Sequence, residues 1–263
     1  MPLPALPIDR LSPTCRPRAQ AIGYHTWSNL LFVHWRFPAA LVQGLLPPDL
    51  SLDTWEGEAW IGLVPFYMAH VRPWWSPPIP GISYFQETNV RTYVHYRGRD
   101  PGVWFFSLEA ANSLAVRVAR WLWSLPYHRA QMSLIRQGNH VQYTSHRLWP
   151  GTPGAGCQIK AAIGDPFRSP IEPADVPPRG VAIPGTLEHF LIERYILYAS
   201  RDGTSLLSGR VHHRPYPLRT VQIEHLEETL LTSAGLPPTT NYCHTLFSDG
   251  VDVEIFPLTP VAP

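Results

Sequence analysis

Phe85-Gln86-Glu87-Thr88-Asn89-Val90-Arg91-Thr92-Tyr93-Val94 alternates strand-forming residues with polar ones. Successive side chains of a β-strand point to opposite faces, so Glu87, Asn89, Arg91 and Tyr93 share one face and Thr88, Val90, Thr92 and Val94 the other. A carboxylate, an amide, a guanidinium and a phenol in one row are costly to bury unless paired or used. A cavity behind that face makes it a small-molecule site, and open water makes it an ordinary outer face. The Thr/Val face can equally serve as the core face, and the strand alone does not choose between them.

Short strand-like runs continue on both sides. Trp27 to Trp35 reads as a strand ending at Arg36-Phe37-Pro38, and Pro38 suits the first position of a helix over Ala39 to Leu46, stopped by Pro47-Pro48. Leu50 to Asp53, the turn Glu56-Gly57 and Ala59 to Tyr67 read as a hairpin, with Pro65 placing its second strand at an edge or a bulge. Pro73 to Pro80, with four prolines and two tryptophans, reads as a stiff loop. Beyond the central strand, Arg97 to Gly102 is a turn and Val103 to Leu108 a strongly apolar strand. Asn112 or Ser113 then caps an amphipathic helix whose apolar stripe is Leu114, Val118, Trp121, Leu122 and Leu125, ended by Pro126. Further strands run from Tyr127 to Ile163 around a turn at Gln137-Gly138-Asn139. A short helix spans Leu187 to Ile192, Arg194 to Ala199 and Ser205 to His212 form a hairpin around Asp202-Gly203, and the tail alternates at Val251, Val253 and Ile255. Residues 1–20 read as a Pro-rich arm and 21–263 as a single mainly β (α+β) domain with a few short helices.

Composition narrows the function. Charged residues make up 16% and aromatics 12%, where soluble domains usually carry roughly 25% charged residues. A net charge of +1 and the lack of a basic run give no field to steer nucleic acid, so nucleic-acid binding is not expected. No stretch is apolar enough to span a bilayer and the N-terminus lacks a signal-peptide pattern, which points to a cytoplasmic protein without a membrane partner. The low charge and the Trp74-Trp75 pair are compatible with a homodimer. Three cysteines, scattered and without C-x-x-C, suggest neither a disulfide framework nor a zinc site. No metal or cofactor is expected. There are 20 arginines and one lysine, Lys160, so any lysine Schiff base would have to form there. The alternation of Cys157, Ile159, Ala161 and Ile163 instead sets Lys160 on the solvent face. Hydrolase elbows, phosphate loops, dinucleotide fingerprints and H-E-x-x-H are all absent.

Several motifs, in order, carry a resemblance. Leu45-Leu46-Pro47-Pro48-Asp49-Leu50, Gly57-Glu58-Ala59-Trp60, Asn89 to Val94, Pro101-Gly102-Val103-Trp104-Phe105-Phe106-Ser107-Leu108, Leu125-Pro126-Tyr127 and Phe190 to Tyr198 make the chain, over about residues 30 to 256, similar to the YqjF-like bacterial family. That family is grouped by fold with acetoacetate decarboxylase. The resemblance implies a large curved antiparallel sheet closed into a barrel or cone, with an internal pocket lined by one face of the 85–94 strand. Acetoacetate decarboxylase uses a lysine activated by an adjacent lysine, after a proline that follows a helix. The matching place is Pro126-Tyr127-His128-Arg129, which has neither lysine and so excludes a Schiff base there. Glu87 resembles the acidic residue of the decarboxylase pocket.

Two functions follow. In the first, a lyase-like or hydrolase-like enzyme acts on a small oxo acid or related carbonyl compound without a covalent intermediate. Arg91 holds the carboxylate, Glu87 acts as acid or base with its pKa raised by burial, and His128 or Tyr127 moves a proton or polarises the carbonyl. Asn89, Tyr93, Arg36, Glu193 and Arg194 are the candidate substrate-binding residues, although Glu193-Arg194 also reads as a local ion pair. In the second, the same pocket belongs to a carrier or sensor of a small, partly apolar ligand. A structural role, with Glu87 and Arg91 paired inside the sheet and Trp74-Trp75 as a contact patch, is the remaining expectation.

Overall fold

The computed structural model describes residues 8–201 and 205–261. Its strands are β1 (Gly23–Phe37), β2 (Ser51–Leu52), β3 (Ala59–Pro73), β4 (Phe85–Tyr96), β5 (Arg99–Ala110), β6 (Tyr127–Gln137) and β7 (His140–Trp149). They continue with β8 (Gly156–Pro166), β9 (Ile196–Arg201), β10 (Ser205–His212), β11 (Leu218–Glu228), β12 (His244–Ile255) and β13 (Thr259–Pro260). Four short helices accompany them: α1 (Ala39–Gln43), α2 (Ser113–Leu122), α3 (Leu187–Ile192) and α4 (Leu230–Ser233). None is long and apolar enough to cross a membrane.

All thirteen strands form one sheet in the order β13-β10-β9-β5-β6-β7-β8-β11-β12-β1-β3-β4-β2. Additional pairings of β4 with β5 and of β10 with β12 curl it back on itself, so the hydrogen bonding runs in rings. The run β12-β1-β3-β4-β5 is common to two of them. One ring is completed by β9 and β10, the other by β6, β7, β8 and β11. Each holds its own core. Leu30, Phe32, Val64, Phe66 and Phe85 pack with α3 residues such as Phe190 in the first, and Leu31, Val33, Ile61, Leu63 and Val90 pack with Tyr143, Ile159 and Leu230 in the second. The shared strands are therefore buried on both faces, which is why β1 reads as the nearly unbroken apolar run Leu30-Leu31-Phe32-Val33.

Most pairings are antiparallel, but β5 runs parallel to β6 over Leu108–Ala110 and to β9 at Val103–Trp104. The first of these is a crossover through α2, which a parallel pair requires. Gly102 marks the second, since a Cβ there would sit 2.6 Å from the Ile196 carbonyl oxygen.

Several local expectations are corrected. Glu56 and Gly57 do turn with positive φ, but β2 pairs with β4 rather than with β3, so no 50–67 hairpin forms. Pro65 is mid-strand in a central strand, paired with Thr88. Opposite it β1 carries a register irregularity between Ser28 and Val33, which accommodates a residue with no N–H to donate. Helix α1 stops at Gln43, short of Leu46. Asn112 caps α2 by accepting from the Leu114 and Ala115 amides, but Leu114, Trp121 and Leu122 point to solvent, with Trp121 80% exposed. The face turned inward carries Ala115, Val116 and Ala119. Apolar residues occur on nearly every side of α2, so the periodicity could not locate the buried side. Helix α3 spans Leu187–Ile192 as expected, capped by Thr186, and Gly138 turns β6 into β7 as the sequence suggests. The Asp202-Gly203 turn and residues 1–7 of the arm lie outside the described residues. The rest of the arm is held by ion pairs from Arg10 to Asp53 and from Arg16 to Glu254. Trp74 and Trp75 are exposed.

Candidate functional site

The polar row of β4 faces the interior of the first ring. Glu87, Asn89 and Arg91 line a cavity of about 250 Å³, while Val90, on the opposite face, packs in the second core. A bulge in β5, where Phe106 is skipped between the Ser107–Val90 and Phe105–Arg91 pairs, leaves the alternation of β4 intact. Residues of β1, β3, β5, β6, β9, β10 and β12 continue the wall, and Ala115, Val118, Ala119 and Trp123 line it from α2 and the residue beyond. The lining is overwhelmingly apolar, with Glu87 the one acidic and Arg91 the one guanidinium side chain among the described residues.

Glu87 is 4% exposed. Removal from water pushes its carboxyl from an ordinary 4.5 up to about 8, and a hydrogen bond from Tyr127 only partly opposes this. Burial disfavours the charged form, so Glu87 is predominantly a neutral acid at neutral pH. The Tyr127 hydroxyl donates to Glu87 Oε2 at 2.8 Å. Tyr127 enters the cavity because β6 begins beside the end of β5, with Leu108 opposite Tyr127. Among the described residues Arg91 forms no ion pair with Glu87. Its Nη2 donates to the Leu191 carbonyl at 3.1 Å, and its Nε has no acceptor. Asn89 Oδ1 is likewise buried without a partner. This removes the reading in which Glu87 and Arg91 neutralise each other inside the sheet.

His25 and Trp27 also line the cavity and were not among the site residues expected from sequence. Their Nδ1 and Nε1 atoms are also buried and unpartnered, and burial holds the His25 imidazole down to about 4, hence neutral. Their signal was the Tyr24-His25-Thr26-Trp27 alternation, which continues β1 before its apolar run. Asn29, at φ 52°, then changes the parity, so that Leu30 and Phe32 rather than odd-numbered residues face the first ring. Asn tolerates that left-handed backbone better than other non-glycine residues. Tyr216, between two prolines, is a third lining residue that periodicity could not place.

The other candidates lie elsewhere. Tyr93 is fully buried beyond the cavity lining, donating its hydroxyl to the Leu191 carbonyl at 2.8 Å and bonded to His34 Nε2 at 2.9 Å. It shares the Leu191 carbonyl with Arg91 and so helps to fix that guanidinium. His128 falls on the opposite face of β6 from Tyr127, as adjacent strand residues must, with its Nδ1 bonded to the Pro150 carbonyl at 2.7 Å. Arg36 is exposed near the end of β1, 5.9 Å from the Trp60 ring. Arg194 is stacked 4.3 Å from the Phe190 ring and bonded to Asp53 at 2.8 Å, so its partner is Asp53 rather than Glu193. Glu193 accepts from the Tyr195 hydroxyl and the Tyr216 amide, and burial raises its carboxyl to about 7. Lys160 is exposed on β8, away from the cavity. Among the described residues no three His, Cys, Asp or Glu side chains gather to hold a metal ion.

The fold, a large curved sheet bonded in rings, is that of acetoacetate decarboxylase-like solved structures. Solved structures with the same fold include acetoacetate decarboxylase of Legionella pneumophila, at 14% identity and TM-score 0.56 over 94% of this chain and 92% of that one. Another is the enduracididine biosynthesis enzyme MppR complexed with pyruvate, at 11% identity and TM-score 0.55 over 92% and 91% of the two chains. The chain belongs to the DUF2071 family of uncharacterized conserved proteins, whose pattern it matches over residues 24–252. It is 34% identical over 235 residues to the uncharacterized protein YqjF of Bacillus subtilis, covering 89% of this chain and 90% of the relative.

Proposed function

We propose that the cavity binds a carbonyl compound bearing a carboxylate and that Glu87 exchanges a proton with it, without a covalent intermediate. The observation that carries this reading is the row Glu87, Asn89 and Arg91 on one cavity wall, with an acid and a cation held apart. The unpartnered Arg91 Nε supplies a charge-assisted hydrogen bond to a substrate carboxylate. Glu87, kept protonated by burial, delivers its proton to the carbonyl oxygen as the adjacent carbon loses a proton to water or loses carbon dioxide and the electron pair of the broken bond moves onto that oxygen, and the carboxylate takes the proton back from the resulting enol as the same carbon is protonated by water. Asn89 orients the substrate, and Tyr127 is a positioning residue that holds the Glu87 carboxyl. His25, neutral at the same wall, is a further polar contact. The complex of MppR with pyruvate supports an oxo acid as the ligand class. Schiff-base chemistry is not part of the proposal, because the one lysine is exposed on β8.

The test is a panel of 2-oxo and 3-oxo acids followed by nuclear magnetic resonance in D2O, reading loss of substrate or deuterium entry beside the carbonyl. Wild type is expected to turn over one of them, Glu87→Gln to slow it by about 10²–10⁴-fold, and Arg91→Gln to raise KM. Turnover unchanged in Glu87→Gln removes the assigned role. The predominantly apolar lining favours a second reading, a carrier or sensor that binds such a ligand and returns it unchanged. A raised melting temperature with chemically intact ligand identifies it.

A further inference from the structure

The polar groups of the cavity are few and stand among apolar ones. Glu87, Asn89 and Arg91 project from β4, and His25 and Trp27 from the start of β1. Phe105 and Leu108 of β5 neighbour Arg91 and Asn89 in the sheet, and α2 presents Ala115 and Ala119, beside Val118, to the same cavity. These two alanines are four residues apart, so they lie one above the other on one helix face. At roughly 30 Å³ per water at liquid density, a cavity of about 250 Å³ exceeds what a three-carbon oxo acid fills. The remainder borders side chains that offer water few hydrogen bonds, and covering them with hydrocarbon is favourable.

We infer that the ligand is an amphipathic carboxylic acid whose head meets Arg91 and Asn89 on β4 and whose extended aliphatic or aromatic body lies against α2 at Ala115 and Ala119. This rests on the carboxylate-binding reading above and adds the ligand class to it. The unpartnered Nε donor of Arg91, on a side chain at least nine-tenths buried, fixes which end holds the carboxylate, and the unpartnered Asn89 Oδ1 beside it is an acceptor for a hydroxyl or enol proton of the same head. The small side chains of α2 leave the space for the tail.

The experiment is calorimetric titration of Glu87→Gln, in which chemistry is suppressed, with 2-oxo acids from pyruvate to 2-oxooctanoate and with phenylpyruvate. The same titrations are made in Glu87→Gln carrying Ala119→Phe, with Ala115→Leu as the alternative filling substitution should the first fail to fold. Affinity is expected to rise about fourfold per added methylene until the cavity is full. The filling substitution should cancel that gain for the long acids and leave pyruvate unchanged. Affinity that is flat or falls with chain length overturns the inference, as does no binding of any acid, or a filling substitution that affects pyruvate and long acids alike. The two readings separate: a chain-length trend without turnover of any acid by wild type removes the catalytic proposal only, and turnover of pyruvate without the trend removes this inference only.

Discussion

Replacing Glu87 with glutamine should remove a stability loss that wild type suffers as pH rises. In the folded protein burial lifts this carboxyl to about 8, while the unfolded chain ionises it near 4.5. Between those values the folded state holds a proton that the unfolded state has released, so stability falls with increasing pH. The contribution is fully present below 4.5 and is lost as pH rises through about 8. At about 1.36 kcal/mol per pH unit the loss is about 3 kcal/mol by pH 7 and roughly 5 kcal/mol above pH 8. Glutamine has the shape of the neutral acid, and its carbonyl can still accept from the Tyr127 hydroxyl, so little packing should change. The assay is urea unfolding of both proteins at intervals from about pH 5 to pH 9, with the m-value checked for constancy. The buried Glu193, raised to about 7, has the same sign but is present in both proteins and cancels in the difference if the two sites act independently. Infrared difference spectra should show a protonated carboxyl band at neutral pH that the substitution removes. A stability difference that stays flat across the range would show that Glu87 ionises as in water, and would refute burial as the controlling influence.

Three further outcomes are expected. Tyr127→Phe removes the hydrogen bond that stabilises the Glu87 carboxylate, so the Glu87 titration should move above its wild-type position, read by the same infrared band; an unchanged or lower midpoint contradicts the geometry. Glu109 and Arg147 form a buried ion pair that links β5 to β7, so Glu109→Gln should cost about 3–5 kcal/mol by leaving the guanidinium unpaired, whereas Glu109→Met with Arg147→Leu should recover much of that loss in chemical unfolding. Gly102→Ala places a methyl group against the Ile196 carbonyl oxygen and should lower the melting temperature by parting β5 from β9; an unaffected Tm would mean that this junction is loose.

Alternation within residues 85–94 was enough to set Glu87, Asn89 and Arg91 on one face, and alternation around Lys160 was enough to set the one lysine on an exposed face. Local turn and cap chemistry likewise located α3, the N-terminus of α2 and the β6–β7 turn, because each depends on residues within a few positions of one another. The destination of the polar face was not local. It is decided by β4 lying between β3 and β5 in a sheet that curls back on itself, which buries both faces and gives one to each core. Tyr93 shows the limit, since it shares the parity of Arg91 yet passes beyond the cavity to the Leu191 carbonyl. Arg36, His128, Glu193 and Arg194 have plausible chemistry in sequence, but strand position and parity carry Arg36 and His128 elsewhere, the connection after α3 commits Glu193 to Tyr195 and Tyr216 and Arg194 to Asp53, and the switch of parity at Asn29 brings in His25 and Trp27. The sequence by itself thus determined which functional groups stand side by side. Only the tertiary structure decided which of them share a cavity, because burial and the pKa it shifts come from side chains contributed by strands far apart along the chain.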